Sequence, residues 1–306
     1  MTVAEWQGLA DRPLDVGVVL AMGVFDGLHR GHRALLHRVI AHGGGAPAVL
    51  TFDPLPSSVL FGTSARLILS RRQKERTLQR IGIRHLIVVD FSLSFSKLTG
   101  EEFVNQLLRR AAVRGIVVGR DFRCGRQRDT DTEQLHRLLH RRGVELEVVD
   151  LVRNESGSFD GQDHFDGQDH FDGQDCSSGQ GRDGAKVSSS GIRQAIDNGD
   201  FSVVRSMLGG DYELDVEHVS PDCTRDGLVF PASSLTQLLP RPGRYTGSAR
   251  SASGGLDAPI VVESDRVIVR GATGPLSGIR FSRRNPERSS DRTGSADRTG
   301  SSTGWD

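Results

Sequence analysis

Residues 16–32 read Val-Gly-Val-Val-Leu-Ala-Met-Gly-Val-Phe-Asp-Gly-Leu-His-Arg-Gly-His, and an apolar stretch follows directly. The run Val16–Met22 is apolar without alternation, which is typical of a strand covered on both faces. Glycines after it allow a tight turn, and Ala34–Ala41 has the spacing of an amphipathic helix. This part of the sequence therefore predicts a buried strand, a glycine-rich turn and the start of a helix.

The same pattern of strand and helix recurs through the first half of the chain. Further strands are predicted at Pro47–Phe52, His85–Phe91, Gly115–Gly119 and Val144–Leu151. Helical patterns between them cover Arg71–Ile81, Gly100–Ala112 and Thr132–Arg142. This alternation predicts an α/β fold with a parallel sheet, in which ligands bind beyond the carboxyl ends of the strands.

Two histidines stand at the turn after the first strand. His29 and His32 are three residues apart, so both imidazoles face the same way on a first helical turn. Two such donors can stabilise the charge that develops on a phosphoryl group during its transfer. The alternative interpretation is that the histidines only cap the helix and the glycines form a plain turn.

Polar motifs also follow the second and fourth predicted strands. The second strand ends in Thr51-Phe52-Asp53-Pro54, which alone is ordinary punctuation at a strand end. The fourth ends in Gly119-Arg120-Asp121-Phe122-Arg123-Cys124-Gly125. An acid beside arginines at a strand end suits the binding of magnesium and phosphate, although a surface turn with satisfied charges would look similar.

A last motif, Ser188-Ser189-Ser190-Gly191-Ile192-Arg193, opens a helix predicted over Ser190–Asn198. A second helix is predicted over Phe201–Leu208. Hydroxyls and N–H groups at a helix start, with an arginine one turn in, form a cradle for an anion, whereas the alternative is a plain serine N-cap.

Together these motifs resemble the N-terminal domain of bacterial bifunctional FAD synthetases, members of the HxGH nucleotidyltransferase superfamily. Gly23–His32 matches the signature Gly-x-Phe-Asp-Gly-x-His-x-Gly-His without a substitution. The resemblance runs from Val16 to about Tyr212 and implies a Rossmann-like domain that makes FAD from ATP and FMN with Mg²⁺.

The resemblance also implies roles for single residues. His29, His32, Asp121 and Arg193 would be catalytic, and Asp121 would also lie beside FMN and Mg²⁺. Ser188 and Ser189 would join Arg193 in holding the β- and γ-phosphates. The residues implied in binding ATP or FMN are Gly23, Phe25, Asp26, Gly31, Thr51, Asp53, Pro54, Gly119, Phe122, Ser188 and Ser189.

Several positions depart from the family pattern. Cys124 replaces a phenylalanine, which predicts weaker flavin binding. The region after Tyr212 resembles the riboflavin kinase β-barrel of the family, but Ala232 and Ser234 replace the threonine and asparagine that serve magnesium and nucleotide there. Alanine offers no oxygen to a cation, and Glu263 is only a poor counterpart of the catalytic glutamate. We therefore expect a degenerate, kinase-like β domain.

These features predict three segments, an adenylyltransferase domain at 1–212, a β-barrel-like domain at 213–282 and a flexible tail at 283–306. The repeats of Phe-Asp-Gly-Gln-Asp-His near 156–184 predict a disordered insertion. An acidic metal-binding tract is the alternative for these repeats.

The overall composition narrows the functional class. Lys plus Arg equals Asp plus Glu at 39 each, so no net field favours nucleic acid or an anionic membrane. The three cysteines show no CxxC spacing, which predicts reduced thiols without a zinc site. The N-terminus does not read as a signal peptide, and no apolar run approaches the roughly 20 residues of a spanning helix. We therefore expect a cytoplasmic protein.

Three alternative functions remain open from the sequence. The chain could be a working bifunctional riboflavin kinase and FAD synthetase, or a nucleotidyltransferase acting on a sugar or polyol phosphate. It could also be a non-catalytic, flavin-binding regulatory module.

Overall fold

The computed structural model describes residues 1–7, 14–62, 66–150 and 187–285. The predicted insertion near 156–184 and the part of the predicted tail beyond residue 285 lie outside these ranges. Within them, no helix is both long enough and apolar enough to cross a membrane.

The first part of the chain forms a six-stranded parallel sheet with helices between its strands. The strands are β1 (Thr2–Trp6), β2 (Leu14–Met22), β3 (Ala46–Asp53), β4 (His85–Asp90), β5 (Ala111–Gly119) and β6 (Glu145–Val149). The helices are α1 (Arg30–Ala41), α2 (Pro56–Phe61), α3 (Arg71–Ile81), α4 (Gly100–Arg110) and α5 (Thr132–His140). The predicted α/β fold with a parallel sheet is confirmed.

The order of the strands, β1-β4-β3-β2-β5-β6, creates a topological switch point. From β2 the chain continues through β3 and β4 on one side and then returns to place β5 on the other side of β2. The loops after β2 and β5 therefore diverge and leave a crevice, which is where ligands bind in sheets of this kind.

Both faces of the sheet are covered. Val18 and Leu20 of β2 belong to a hydrophobic cluster with α4 and α5, whereas Val19 and Ala21 belong to a cluster with α1 and α3. Val18–Met22, the carboxyl half of β2, are therefore buried on both faces, which is the physical reason for their unbroken apolar run, whereas Val16 is exposed.

One strand and one α-helix of this first part were not predicted, and the boundary between α4 and β5 differs from the prediction. Strand β1, parallel to β4 at the sheet edge, and the short helix α2 were both missed. Most residues of β1 are exposed or half-buried, so its sequence lacks a strong apolar pattern. Helix α4 ends at Arg110 because Ala111 adopts an extended conformation and pairs with Leu14, so β5 starts before the predicted Gly115.

The second part contains α6 (Ser189–Asn198), α7 (Phe201–Leu208) and an antiparallel sheet of half-barrel form. Its seven strands are β7 (Glu213–Asp215), β8 (Asp222–Thr224), β9 (Gly227–Pro231), β10 (Gly243–Ser251), β11 (Gly254–Val262), β12 (Arg266–Arg270) and β13 (Leu276–Arg284). Ile192 of α6 and Phe201 of α7 share one hydrophobic cluster with Phe281 of the sheet. Strand β13 reaches Arg284, so it includes the first residues of the predicted tail.

A buried glutamine links the segment before α3 to the antiparallel sheet. The side chain of Gln237 is 2% exposed, and its Nε2 donates to the carbonyls of Ile68 and Glu213, each at 3.0 Å. Its Oε1 accepts from Asp215 N at 2.6 Å. The segment that leads into α3 is therefore fixed on the antiparallel sheet.

Candidate active site

A cleft of about 260 Å³ lies at the switch point, beyond the carboxyl ends of β2, β5 and β6. Motifs that are far apart in the sequence meet on its walls. The predicted site residues that line it are Gly23, Phe25, His29, Gly31, His32, Gly119, Asp121, Phe122, Ser188 and Ser189.

The two histidines of the signature stack on one wall of the cleft, with ring centroids 3.7 Å apart. His29 is 7% exposed and caps α1, because its Nδ1 accepts a hydrogen bond from the backbone N of His32 at 3.3 Å. Acceptance at Nδ1 places the proton of neutral His29 on Nε2. Capping α1 therefore fixes the tautomer of His29, and the ring of His29 also forms part of the cleft wall.

His32 is held in its neutral form. Burial, followed by the charges of His29 and Lys74, lowers the pKa of His32 well below its usual 6.5. Its Nδ1 is enclosed and has no hydrogen-bond partner among the described residues. A buried polar atom without a partner is rare and costly, and at the wall of a cleft it is typical of a ligand site.

The loop that presents these histidines has an unusual backbone. Phe25 and Leu28 have φ of 49° and 43°, in the left-handed region, and Gly27 has φ of 94°. Such a conformation costs about 1–3 kcal/mol for a residue other than glycine. Burial of both side chains, at 1% and 0% exposure, offsets this strain. The Phe25 ring meets the His32 ring edge-on at 5.1 Å, so the strained loop also orients the histidine.

Asp26 and Arg193 lie outside the residues that line the cleft. Asp26 is 4% exposed, accepts a hydrogen bond from the backbone N of Ile68 at 2.9 Å and forms an ion pair with Arg193. Arg193 also donates to the carbonyl of Arg66 at 2.6 Å, and Ser189 Oγ donates to the carbonyl of Asp26 at 2.8 Å. These residues connect the loop to α6 and to the segment before α3.

Lys74 of α3 also supports the loop that presents the histidines, and it was not predicted from the sequence. It is 8% exposed, and its Nζ donates to the carbonyl of Val24 at 3.3 Å. The same carbonyl accepts from Thr51 Oγ1 at 2.7 Å, so the predicted site residue Thr51 supports the loop as well. Burial lowers the pKa of Lys74, and the carboxylates of Asp26 and Asp53 oppose that shift. A lysine in an amphipathic helix gives no sequence signal of burial.

Asp53 and Pro54 are exposed at the carboxyl end of β3, outside the residues that line the cleft. Half-buried aromatic rings lie beside them. Phe52 and Phe91 have ring centroids 5.6 Å apart, and Phe91 and Phe95 have centroids 5.5 Å apart. Phe91 and Phe95 were not predicted as site residues, because phenylalanines at strand ends are usually core residues.

The turn after β5 places Asp121 on the wall of the same cleft. Asp129 stabilises this turn, since its Oδ1 accepts from Gly100 N at 3.0 Å and from Thr130 Oγ1 at 2.9 Å. Cys124 packs against the sheet core, and burial followed by the charge of Asp129 raises its pKa to about 12. Cys124 is therefore a neutral apolar residue here.

Comparison with known proteins places the chain in a family. The sequence profile of the family "FAD synthetase" matches residues 11–160. The chain is 30% identical over 237 residues to the bifunctional riboflavin kinase/FMN adenylyltransferase of Escherichia coli K12, covering 75% of this chain and 67% of the relative. It is 27% identical over 224 residues to a FAD synthetase of Listeria monocytogenes, covering 72% and 80%.

A solved structure shares the whole fold. The structure of a macrolide-efflux protein from Streptococcus pneumoniae superposes with a TM-score of 0.73 at 20% identity, covering 96% of this chain and 93% of that one. At this identity the likeness concerns the fold alone. The relatives and the signature at the cleft show that the chain belongs to the FAD synthetase family, nucleotidyltransferases of FAD biosynthesis.

Proposed function

We propose that the chain is an FMN adenylyltransferase, which transfers AMP from ATP to FMN and releases FAD and pyrophosphate. The observation that carries this proposal is the stacked pair His29–His32 at the start of α1, on the wall of the switch-point cleft. Imidazole donors and a helix N-terminus aimed at one point stabilise the charge on a phosphoryl group in transfer.

The remaining walls supply the other contacts. Ser188 and Ser189 open α6 across the cleft, where backbone N–H groups can hold the β- and γ-phosphates. A phosphate oxygen of FMN attacks the α-phosphorus in line as pyrophosphate leaves, so catalysis rests on positioning and charge stabilisation. Because Arg193 pairs with Asp26, we assign it to positioning the loop.

Asp121 is the residue we assign to Mg²⁺. No group of three or more His, Cys, Asp or Glu side chains within the described ranges could hold a metal ion. This fits Mg²⁺, which usually takes one or two carboxylates and completes its shell with water and substrate phosphates. Bound there, Mg²⁺ would neutralise charge on the triphosphate.

The flavin ring is assigned to Phe122 in the cleft and to an aromatic group that lies outside the cleft lining. Phe122 lines the cleft, and Phe52, Phe91 and Phe95 form the half-buried group beside Asp53 and Pro54. Aromatic faces of this kind stack on a planar heterocycle.

We further propose that riboflavin kinase activity is lost. Ala232 is 4% exposed and offers no side-chain oxygen, while its backbone N donates to the carbonyl of Asp265 at 2.7 Å. The carboxylate of Glu263 accepts from Arg266 Nε at 2.6 Å at the end of a hairpin. A second candidate, the full bifunctional enzyme, is favoured by the name of the Escherichia coli relative.

Product analysis by chromatography tests these proposals. The purified chain with Mg²⁺-ATP is expected to give FAD from FMN and no product from riboflavin. FMN formed from riboflavin would contradict the loss of the kinase, and adenylylation of a sugar or polyol phosphate instead of FMN would contradict the choice of substrate.

Variants of two histidines, one at the N-cap of α1 and one within it, test whether the chain is an enzyme or a binding module. His29→Ala should reduce FAD formation by orders of magnitude, whereas His37→Ala, an exposed residue of α1 outside the cleft lining, should not. Flavin binding by a wild-type chain that forms no product with any of these substrates would instead indicate a regulatory module.

A further inference from the structure

A second cleft, of about 200 Å³, lies behind the loop that presents the histidines. Gly27 and Leu28 of the loop line it, together with residues of α1, α3 and the antiparallel sheet. Gly23, Phe25 and His29 of the same loop line the first cleft instead. The loop is thus a wall shared by two clefts, and only the first has a role in the proposed function.

The second cleft concentrates positive charge in a chain with no net charge. Five arginines and two carboxylates line it. The arginines are Arg33, Arg76, Arg80, Arg250 and Arg280, and the carboxylates are Asp211 and Glu213. These seven residues come from five separate regions of the sequence, so this surplus of positive charge appears only in the folded protein.

Both carboxylates of the cleft are already paired. Glu213 accepts from Arg250 and, at 3.3 Å, from Arg280. Asp211 lies 3.6 Å from Arg280 and 3.2 Å from Arg205, an arginine outside the cleft lining. The acids therefore cannot also neutralise the arginines on the opposite wall.

That opposite wall is formed by α3. The carboxylate of Glu217 forms ion pairs with both Arg72 and Arg76, and it lies 3.2 Å from the guanidinium of Arg76. The side chain of Arg80 is exposed and makes no hydrogen bond or ion pair with another residue of the described ranges. Arg33 donates to the carbonyl of Leu28 at 3.2 Å, next to His29 in the loop.

From this arrangement we infer that the second cleft is a binding site for a small, multiply charged oxyanion of the phosphate class. Guanidinium groups present fixed forks of N–H donors that match phosphate oxygens, and an anion between them relieves their mutual repulsion. The size of the cleft suits an oligophosphate or the phosphate end of a nucleotide. This site is separate from the one proposed for catalysis and does not depend on it.

Isothermal titration of the full chain with tripolyphosphate, at constant ionic strength, tests the inference. The double variant Arg76→Gln/Arg80→Gln should bind at least about tenfold more weakly than the wild type, because two charge-assisted hydrogen-bonding groups are lost. Arg80→Gln alone should show part of the loss if the double variant does not fold. Parallel titrations with inorganic phosphate and ADP show whether a free phosphate or a nucleotide is preferred.

Two controls decide between the clefts. Arg109→Gln removes one positive charge, as Arg80→Gln does, from an exposed position on α4 and should bind as the wild type does. Because the first cleft is itself proposed to hold phosphates, the second control is His29→Ala, in which the loss caused by Arg76→Gln/Arg80→Gln should persist. Equal weakening by Arg109→Gln would overturn the inference, since binding would then follow total charge. Loss of binding in His29→Ala with none in the double variant, or no binding by the wild type, would also overturn it.

Discussion

The carboxylate of Asp26 and the guanidinium of Arg193, which are 167 residues apart in the sequence, form an ion pair beneath the loop that carries His29 and His32. The side chain of Asp26 is 5% exposed and that of Arg193 is 29% exposed, so the pair is mostly shielded from water. The position of this loop therefore depends on α6, a helix that follows the whole parallel sheet in the sequence.

Removing the arginine should damage both stability and turnover. Arg193→Met leaves the buried carboxylate of Asp26 without its ion pair, with the backbone N of Ile68 as a remaining partner. The free energy of unfolding in urea should therefore fall by about 1–3 kcal/mol. FAD formation should fall as well, because the loop loses its support. The control is Arg205→Met, which removes a 67% exposed partner of Asp211 and should cost less than about 1 kcal/mol. Equal losses in the two variants would contradict a special role for Arg193.

Acidification should destabilise the protein through His32. The pKa of His32 is lowered in the folded state, so below about pH 6.5 the unfolded chain binds a proton that the native protein excludes. The free energy of unfolding should therefore fall as the pH drops from 7.5 to 5.5, with a slope of at most about 1.4 kcal/mol per pH unit from this group.

Substitution of His32 shows how much of this slope of unfolding free energy against pH comes from that residue. His32→Gln should reduce it but not abolish it, because the pKa of His85 is also lowered, by burial first and then by the charges of the N-terminus and Arg84. Urea unfolding at a series of pH values measures both proteins. An unchanged slope in the variant would show that His32 is not the cause.

Gly31→Ala should separate stability from activity. A Cβ at this position would lie 3.2 Å from both Cε1 and Nδ1 of His29, so the imidazole must shift. Alanine inside a helix is worth about 0.5–1 kcal/mol more than glycine, so the fold should not suffer. If His29 acts as proposed, displacement of its ring should lower kcat for FAD formation at least about tenfold.

A second glycine provides the control for this variant. Gly191→Ala adds a methyl group to α6 whose nearest neighbours, Met207 Cε and Ser188 Oγ, both at 3.5 Å, are at ordinary contact distance. It should leave the histidine pair in place and reduce kcat less. A fully active Gly31→Ala protein would show that the ring position is not critical.

Gln237→Leu should lower stability without changing the first cleft, whose lining includes none of the residues bonded to Gln237. The substitution leaves the carbonyls of Ile68 and Glu213 and the N–H of Asp215 without this partner, and a buried unpaired group costs about 1–3 kcal/mol. Thr236→Ala, at the exposed neighbouring position, should change the free energy of unfolding by less than about 0.5 kcal/mol. Chemical denaturation measures the free energy of unfolding of both variants. Similar losses would refute the role of Gln237 as a link between the segment before α3 and the antiparallel sheet.

The cysteines should differ in reactivity. Burial raises the pKa of Cys124 to about 12, whereas Cys223 is exposed. Only the thiolate reacts with iodoacetamide, so at pH 8 Cys223 should be labelled much faster than Cys124, as measured by mass spectrometry of peptides. In guanidinium chloride the two should react alike. Fast labelling of Cys124 in the native protein would contradict its burial.

Much of the architecture was readable from local patterns. The strand ending at Met22, the helix from Arg71 to Ile81 and the signature between them depend on apolar periodicity and glycine position, which are properties of neighbouring residues. The family followed from the same short motifs. Strand β1 was missed because an edge strand buries little surface and needs no apolar run.

The sequence by itself thus determined the parallel fold, the family and the residues near the cleft, because each is encoded in stretches of about ten residues. Tertiary structure decided what those residues do. It placed His29 and His32 on the cleft wall, turned Asp26, Thr51 and Arg193 into supports for the loop, and buried Lys74 beneath it. These roles depend on contacts between residues far apart in the chain, and such contacts leave no pattern in the local sequence.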